Sequence, residues 1–474
     1  MNDPQNPRKK LGLKKATTET PAKPALDRRK RSGGRARQIA QIERARDSDP
    51  RSRRAEPQAP EPLTAAPNPS TPHASASRKP APRTPASHPR AIAPAEIFPV
   101  FTPCPQGLEE ALAAELQTLG FEDVRPARAG CSFHADWTGI QRANLYSRLA
   151  TRVLVQVAQG PALCEDDIFD LAYSTEWERW FGAEQTLRVD TSAIRSPMQS
   201  LQFCNLRAKD GICDRLRDRE GARPDIDTVR PDARVHLFLT EDSATLYLDT
   251  SGESLFKRGW RLDKGTAPIR ENLAAGLLAL SNWDPSQALL DPFCGSGTIL
   301  IEAAWIALGV PPGIWRPFSF ERLRHHDSRH WQDLKDDAQS HIALELENPL
   351  VGCDIDPAAI EAAMRNTERA GLTSNAIYFD VGDARSVLPP ADIGWLVTNP
   401  PYGERLSADE MGLWREWSQN LKRNFSDWKV NIISSDLDLP GLLRLKPQRR
   451  YPLFNGDLDC RLFSFEMVKA GYRD

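Results

Sequence analysis

From residue 270 onward, short apolar runs alternate with stretches whose apolar residues recur every three or four positions, an alternation compatible with very few architectures. The runs are Ala288 to Leu290, Leu350 to Cys353, Ala376 to Phe379, Trp395 to Thr398 and Val430 to Ser434. A strand that is apolar on both faces belongs inside a sheet covered on both sides, which strand–helix–strand units provide and simple hairpins do not. Helical stretches such as Ile299 to Leu308 and Pro357 to Ala370 lie between the runs. The expected fold class is α/β, a doubly wound, Rossmann-like domain over residues 271–470. In such sheets a ligand binds beyond the carboxyl ends of the strands, so the residues that follow each run matter most.

The preceding region reads differently. Order is expected to begin near Ile97, where Phe98, Val100 and Phe101 precede a helical pattern at Leu108, Leu112, Leu116 and Leu119, stopped by Gly120. Strand-like runs follow at Arg152 to Val157, Leu187 to Thr191, Val235 to Leu239 and Thr245 to Asp249, separated by helical stretches. This mixture predicts a small α+β region. Its helix candidate, Gln202 to Arg219, carries Arg207, Lys209, Arg215, Arg217 and Arg219, a face that suits RNA or simple solvation. Residues 1–92 hold 21 Lys and Arg against 8 Asp and Glu, although the whole chain has 62 against 64. This segment is rich in Pro, Ala and Ser, and buries too little to offset the entropy of ordering, so a disordered basic tail is expected. It reads equally as a spacer or as a polyanion-capturing arm. No apolar run is long enough to span a bilayer, and the eight scattered cysteines form no Cys-x-x-Cys pair, which points to reduced thiols in a cytoplasmic protein.

Three sites carry chemistry. Asp291-Pro292-Phe293-Cys294-Gly295-Ser296-Gly297-Thr298 joins a strand to a helix, and its two glycines permit a sharp turn with a ligand close to the backbone. Leu300 replaces the third glycine of a dinucleotide fingerprint, and no Gly-Lys-Ser/Thr ending supports a triphosphate. Gly352-Cys353-Asp354-Ile355-Asp356-Pro357 follows the next run; Asp354 suits two ribose hydroxyls, whereas Asp356 reads as a helix cap before Pro357. Asp383, followed by Ala384, ends the third run and suits an adenine amino group. The spacing from the glycine turn to Asp354 requires an insert at residues 309–347. Asn399-Pro400-Pro401-Tyr402-Gly403 ends the fourth run. Two prolines remove two donors and leave carbonyl acceptors beside the Asn399 amide, an arrangement that fits an exocyclic NH₂, with Tyr402 to stack on the base.

With these motifs, and with Ser251 to Arg261, Ala267 to Ala275 and Asn455 to Cys460, the chain resembles class I methyltransferases that join an Asn-Pro-Pro-Tyr motif to an RNA-binding THUMP domain. The nearest likeness is to bacterial 23S rRNA guanine-N2-methyltransferases of the RlmL type. The resemblance implies a ferredoxin-like element at 97–140, a THUMP domain at 141–252, a linker at 253–270 and the methyltransferase domain beyond it. It implies S-adenosylmethionine as cofactor, held by Asp291, Phe293, Gly295, Gly297, Thr298, Asp354, Ile355, Asp383 and Ala384. Asn399, Pro400, Pro401 and Tyr402 would hold the target base, and no metal is expected. Structured RNA, 23S rRNA or a large-subunit precursor, is the implied partner. A tRNA guanine-N2-methyltransferase and a non-catalytic ribosome-assembly factor are the alternatives. Some relatives continue into a second methyltransferase domain; one activity is expected here.

Overall fold

The computed structural model describes residues 96–263, 265, 269–401 and 410–468. The tail expected at residues 1–92, together with Tyr402, lies outside the described residues.

The first half builds one seven-stranded sheet from β1 (Phe98–Pro103), β2 (Arg125–Ala127), β3 (Gly130–Ala135), β4 (Leu154–Pro161), β5 (Leu187–Ala193), β6 (Ala233–Leu239) and β7 (Ser243–Asp249). Its order is β2-β3-β1-β4-β7-β6-β5. The resemblance implies a boundary near residue 140, but β1 pairs antiparallel with β4 across it, Val100 opposite Val155, so one sheet spans both parts. Strand β4 begins two residues later than its strand-like run, and Arg152, ahead of it, forms an ion pair with Asp249. The helix expected at 202–219 is observed as Leu201–Glu220. Its cations are largely neutralised: Arg207 meets Asp166, Lys209 meets Asp210, Arg215 meets Glu178 and Arg217 meets Asp214. A phosphate-binding face there would have to compete with these acids.

The second sheet comprises β8 (Ala288–Asp291), β9 (Leu350–Asp354), β10 (Tyr378–Val381), β11 (Gly394–Thr398), β12 (Trp428–Ser434), β13 (Arg449–Asn455) and β14 (Leu458–Glu466). The order is β10-β9-β8-β11-β12-β14-β13, parallel from β10 to β12 and antiparallel at β14 and β13. Every residue of the central strands β8 and β11 is buried, as their apolar runs require. The order of the strands reverses between β8 and β11, so the carboxyl ends of β8, β9 and β11 open a crevice.

Two segments depart from their expected character. Residues 253–270 read as a linker, yet Leu255, Arg258 and Trp260 are buried and Arg261 pairs with buried Glu271. The insert at 309–347 is packed as well. Phe318 and Phe320 stack at 5.2 Å, Trp331 meets Phe320 edge-on at 5.0 Å, and His325 stacks on Trp180 at 4.8 Å. The Phe320 N–H donates to the Thr250 carbonyl and the Arg324 N–H to the Trp180 carbonyl. The insert therefore fastens the second sheet region to the first. No helix among the described residues is long and apolar enough to cross a membrane, and all eight cysteines are free thiols.

Candidate active site

Strand β8 ends at Asp291, whose carboxylate Oδ1 accepts from the Thr398 hydroxyl at 2.6 Å and from the Phe293 N–H at 3.2 Å. The first bond joins the tips of β8 and β11. After Asp291 the chain turns through Gly295 at φ +52° and Gly297 at φ +80°, a region that disfavours side chains. A Cβ on Gly297 would stand 3.1 Å from Ala363 and 3.3 Å from Phe379, so the turn can sit tightly on its neighbours only without one. Helix Thr298–Ala307 starts immediately afterwards.

At the tip of β9, Asp354 accepts from the Gly295 N–H at 2.9 Å through one oxygen and from the Asp356 N–H at 3.0 Å through the other. An ionised carboxylate has about four acceptor positions, so about two remain for ligand hydroxyls. Asp356 caps helix Pro357–Arg369 by accepting from the Ala358 N–H at 2.9 Å, the role its position before Pro357 suggested. Asp383 follows β10. Arg385 engages both of its oxygens and holds its carboxyl below the usual range, while a second arm of Arg385 reaches Glu416 at 2.9 Å. Asp383 is thus already occupied by a cation, and any adenine contact at this position has to be shared with Arg385.

A cleft of about 630 Å³ collects these groups. Of the residues singled out in the sequence, Asp291, Phe293, Gly295, Thr298, Asp354, Ile355, Asp383, Ala384, Asn399 and Pro401 line it. Gly297 and Pro400 are buried and do not line it. Ile355 is 70% exposed although apolar, and it offers a flat surface to a ring. Phe293 is braced edge-on by Trp417 at 5.1 Å. Gly265, Ile269, Arg385 and Leu413 also line the cleft and escaped the sequence reading. Only Ile269 had an available signal, as an apolar residue just before a helix start.

Asp291 is 1% exposed, and burial, reinforced by the charge of Asp354, pushes its carboxyl up to about 7 against the lowering effect of the Thr398 and Phe293 hydrogen bonds. In the unfolded chain the same group loses its proton near pH 4. Between these values the folded state retains a proton that the unfolded state has lost, so this group's contribution falls as pH rises from about 4 and levels off above about 7. Asp291→Asn keeps the acceptor and removes the ionisation. The wild type is expected to lose stability relative to that variant between pH 5 and pH 8, as followed by urea unfolding. Parallel pH profiles of the two proteins would contradict it.

Comparison with known proteins agrees with this layout. Residues 99–154 match the model of the RlmL ferredoxin-like domain, residues 164–249 the THUMP domain and residues 258–464 the RMKL-like methyltransferase domain. A crystal structure of a possible methylase from Clostridium difficile 630 is 32% identical and superposes with a TM-score of 0.73, covering 80% of this chain and 100% of that one. The chain belongs to the RMKL-like methyltransferase family. SMU.472, described as a methyltransferase and solved as a complex with S-adenosylhomocysteine (SAH), is 27% identical with a TM-score of 0.73 over 79% of this chain and 99% of its own. Ribosomal RNA large subunit methyltransferase K/L of Shewanella baltica is 38% identical over 367 residues, 76% of this chain and 52% of the relative. The chain thus spans about half the length of the curated relatives it matches.

Proposed function

We propose that this RMKL-like protein uses S-adenosylmethionine to methylate the exocyclic N2 amino group of a guanine in 23S rRNA, in the cytoplasm. The observation that carries this reading is the convergence of Asn399 and Pro401 with Asp354 and Gly295 on one cleft, which brings amine acceptors and ribose acceptors together. The cleft fits such a cofactor: its volume is in the range of nucleotide-sized sites, the glycine turn keeps side chains out, Asp354 retains acceptor capacity, and exposed Ile355 offers a ring contact. When bound, S-adenosylmethionine supplies an electrophilic methyl group. Asn399 and the proline carbonyls accept from the target NH₂ and so localise the nitrogen lone pair along the line of attack; the chemistry is positioning and needs no strong base. Such an enzyme unstacks its target base, and the THUMP domain and the rRNA-acting relatives favour RNA as the source of that base.

Transfer of labelled methyl groups to total RNA tests the activity, and mapping the methylated nucleotides in rRNA and tRNA from a deletion strain tests the substrate. Loss of a guanine-N2 mark from tRNA instead of 23S rRNA would overturn the assignment. Asp354→Ala is expected to weaken SAH binding by about 1 to 3 kcal/mol, because two ribose hydroxyls lose their acceptor. RNA affinity should hardly change. Calorimetric titration decides, and wild-type affinity in the variant would remove Asp354 from the site.

A further inference from the structure

Helix Pro357–Arg369 turns Ala359 and Ala362 toward the cleft, and one turn further along the same face it carries Asn366, which is wholly buried. An amide is an expensive residue to bury unless its hydrogen bonds are made. Here all of them are. Nδ2 donates to the Ser296 carbonyl at 3.0 Å and to the Asp263 carbonyl at 3.1 Å, while Oδ1 accepts from the Asp263 N–H at 3.3 Å and from Arg369 at 2.6 Å. Ser296 belongs to the glycine turn. Asp263 lies two residues before Gly265, which also lines the cleft and neighbours the turn: a Cβ on it would be in ordinary contact with the Ser296 nitrogen, at 4.0 Å. The Asp263 carboxylate is held in turn by Arg365 and Arg369 from the same helix.

One side chain therefore joins two segments of the cleft that are more than thirty residues apart in sequence, and it does so through their main chains. A leucine would fill the same space by packing alone; the amide adds direction, since it fixes both the separation and the rotation of the two strands of backbone it bridges. We propose that Asn366 is a positioning residue of the cofactor cleft: it holds the Asp263 backbone against the glycine turn and so sets affinity for the nucleoside cofactor, leaving the methyl-transfer step to other groups. This inference rests on reading the cleft as a cofactor site.

Calorimetric titration of the full chain with SAH is the test. Asn366→Ala is expected to bind about tenfold more weakly, in line with the loss of satisfied buried hydrogen bonds. Asn366→Asp should be weakened at least as much, because a carboxylate would face two carbonyl oxygens. In steady state the KM for the cofactor should rise while kcat at saturating cofactor and the KM for RNA stay near wild type, a split that general destabilisation does not produce. Asp263→Ala, at a half-exposed position, should weaken SAH binding several-fold in the same direction, and it decides the matter if the Asn366 variants no longer unfold cooperatively. If the wild type does not bind SAH, the reading of the cleft fails. If the wild type binds and Asp263→Ala, with any cooperatively folded Asn366 variant, binds equally well, that reading stands and the positioning role falls; a drop in kcat at unchanged affinity overturns it as well.

Discussion

Asn399→Ala is expected to slow single-turnover methyl transfer by about a hundredfold, the usual scale for removing one preorganised polar contact from a reacting centre. The side chain stands at the end of β11, half-buried in the cleft wall, where the strand stops against two prolines that fix the backbone and contribute no N–H. Alanine preserves that backbone and the Thr398–Asp291 bond just before it, so SAH affinity and folding stability should stay close to wild type. The loss would then fall on kcat and kcat/KM alike, the signature of an interaction made chiefly in the transition state. Rapid-quench transfer to an rRNA fragment with enzyme in excess gives the rate directly. A wild-type rate would exclude Asn399 from the chemistry, and a parallel collapse of SAH affinity would make it a cofactor residue.

What the sequence discloses depends on how local the cause is. Strands β8, β9 and β11 were legible because central parallel strands are buried on both faces, and a continuous apolar run has few other uses. The apolar run at Ala376 to Phe379 misplaces β10 by two residues. That strand is at the sheet edge, Tyr378 and Val381 are exposed, and burial does not fix where pairing starts. Ala376 is used instead in a turn, its N–H donating to the Thr373 carbonyl. The β13–β14 hairpin was overlooked, although Asn455-Gly456-Asp457 carries a turn signal and Gly456 has φ +66°. Asp291, Asp354 and Asp383 were findable because the first two end a strand and the third follows one. Arg385 and Asn366 were not: the grip of Arg385 on Asp383 is a matter of rotamer, and the partners of Asn366 lie 70 and 103 residues away. The supposed linker failed for the same reason, since its anchors, Arg148, Glu302 and Arg316, belong to distant segments.

That anchoring predicts the largest effect on stability. Arg258 and Glu302 both have wholly buried side chains, and the Arg258 Nε donates to Glu302 at 3.2 Å. The remaining Arg258 nitrogens donate to the carbonyls of Leu255 and Arg148, each at 2.7 Å. Arg148 brings a second guanidinium within 4.0 Å of the same carboxylate, and burial pushes Arg148 down to about 10. Glu302 is thus the counter-charge for two cations, and it sits on the helix that begins at the glycine turn. Glu302→Ala removes the carboxylate hydrogen-bonded to Arg258 in a buried site, and is expected to cost about 3 to 5 kcal/mol in urea unfolding. Glu302→Gln keeps the volume and one acceptor and should lose less. Replacing the pair together, Arg258→Met with Glu302→Leu, should recover much of the loss, because the penalty belongs to the orphaned charge; Arg148 retains two carbonyl acceptors and partial access to solvent. A loss below about 1 kcal/mol for Glu302→Ala, within the range of an ordinary substitution, would mean that water reaches Arg258 and that this junction between the two sheets opens in solution.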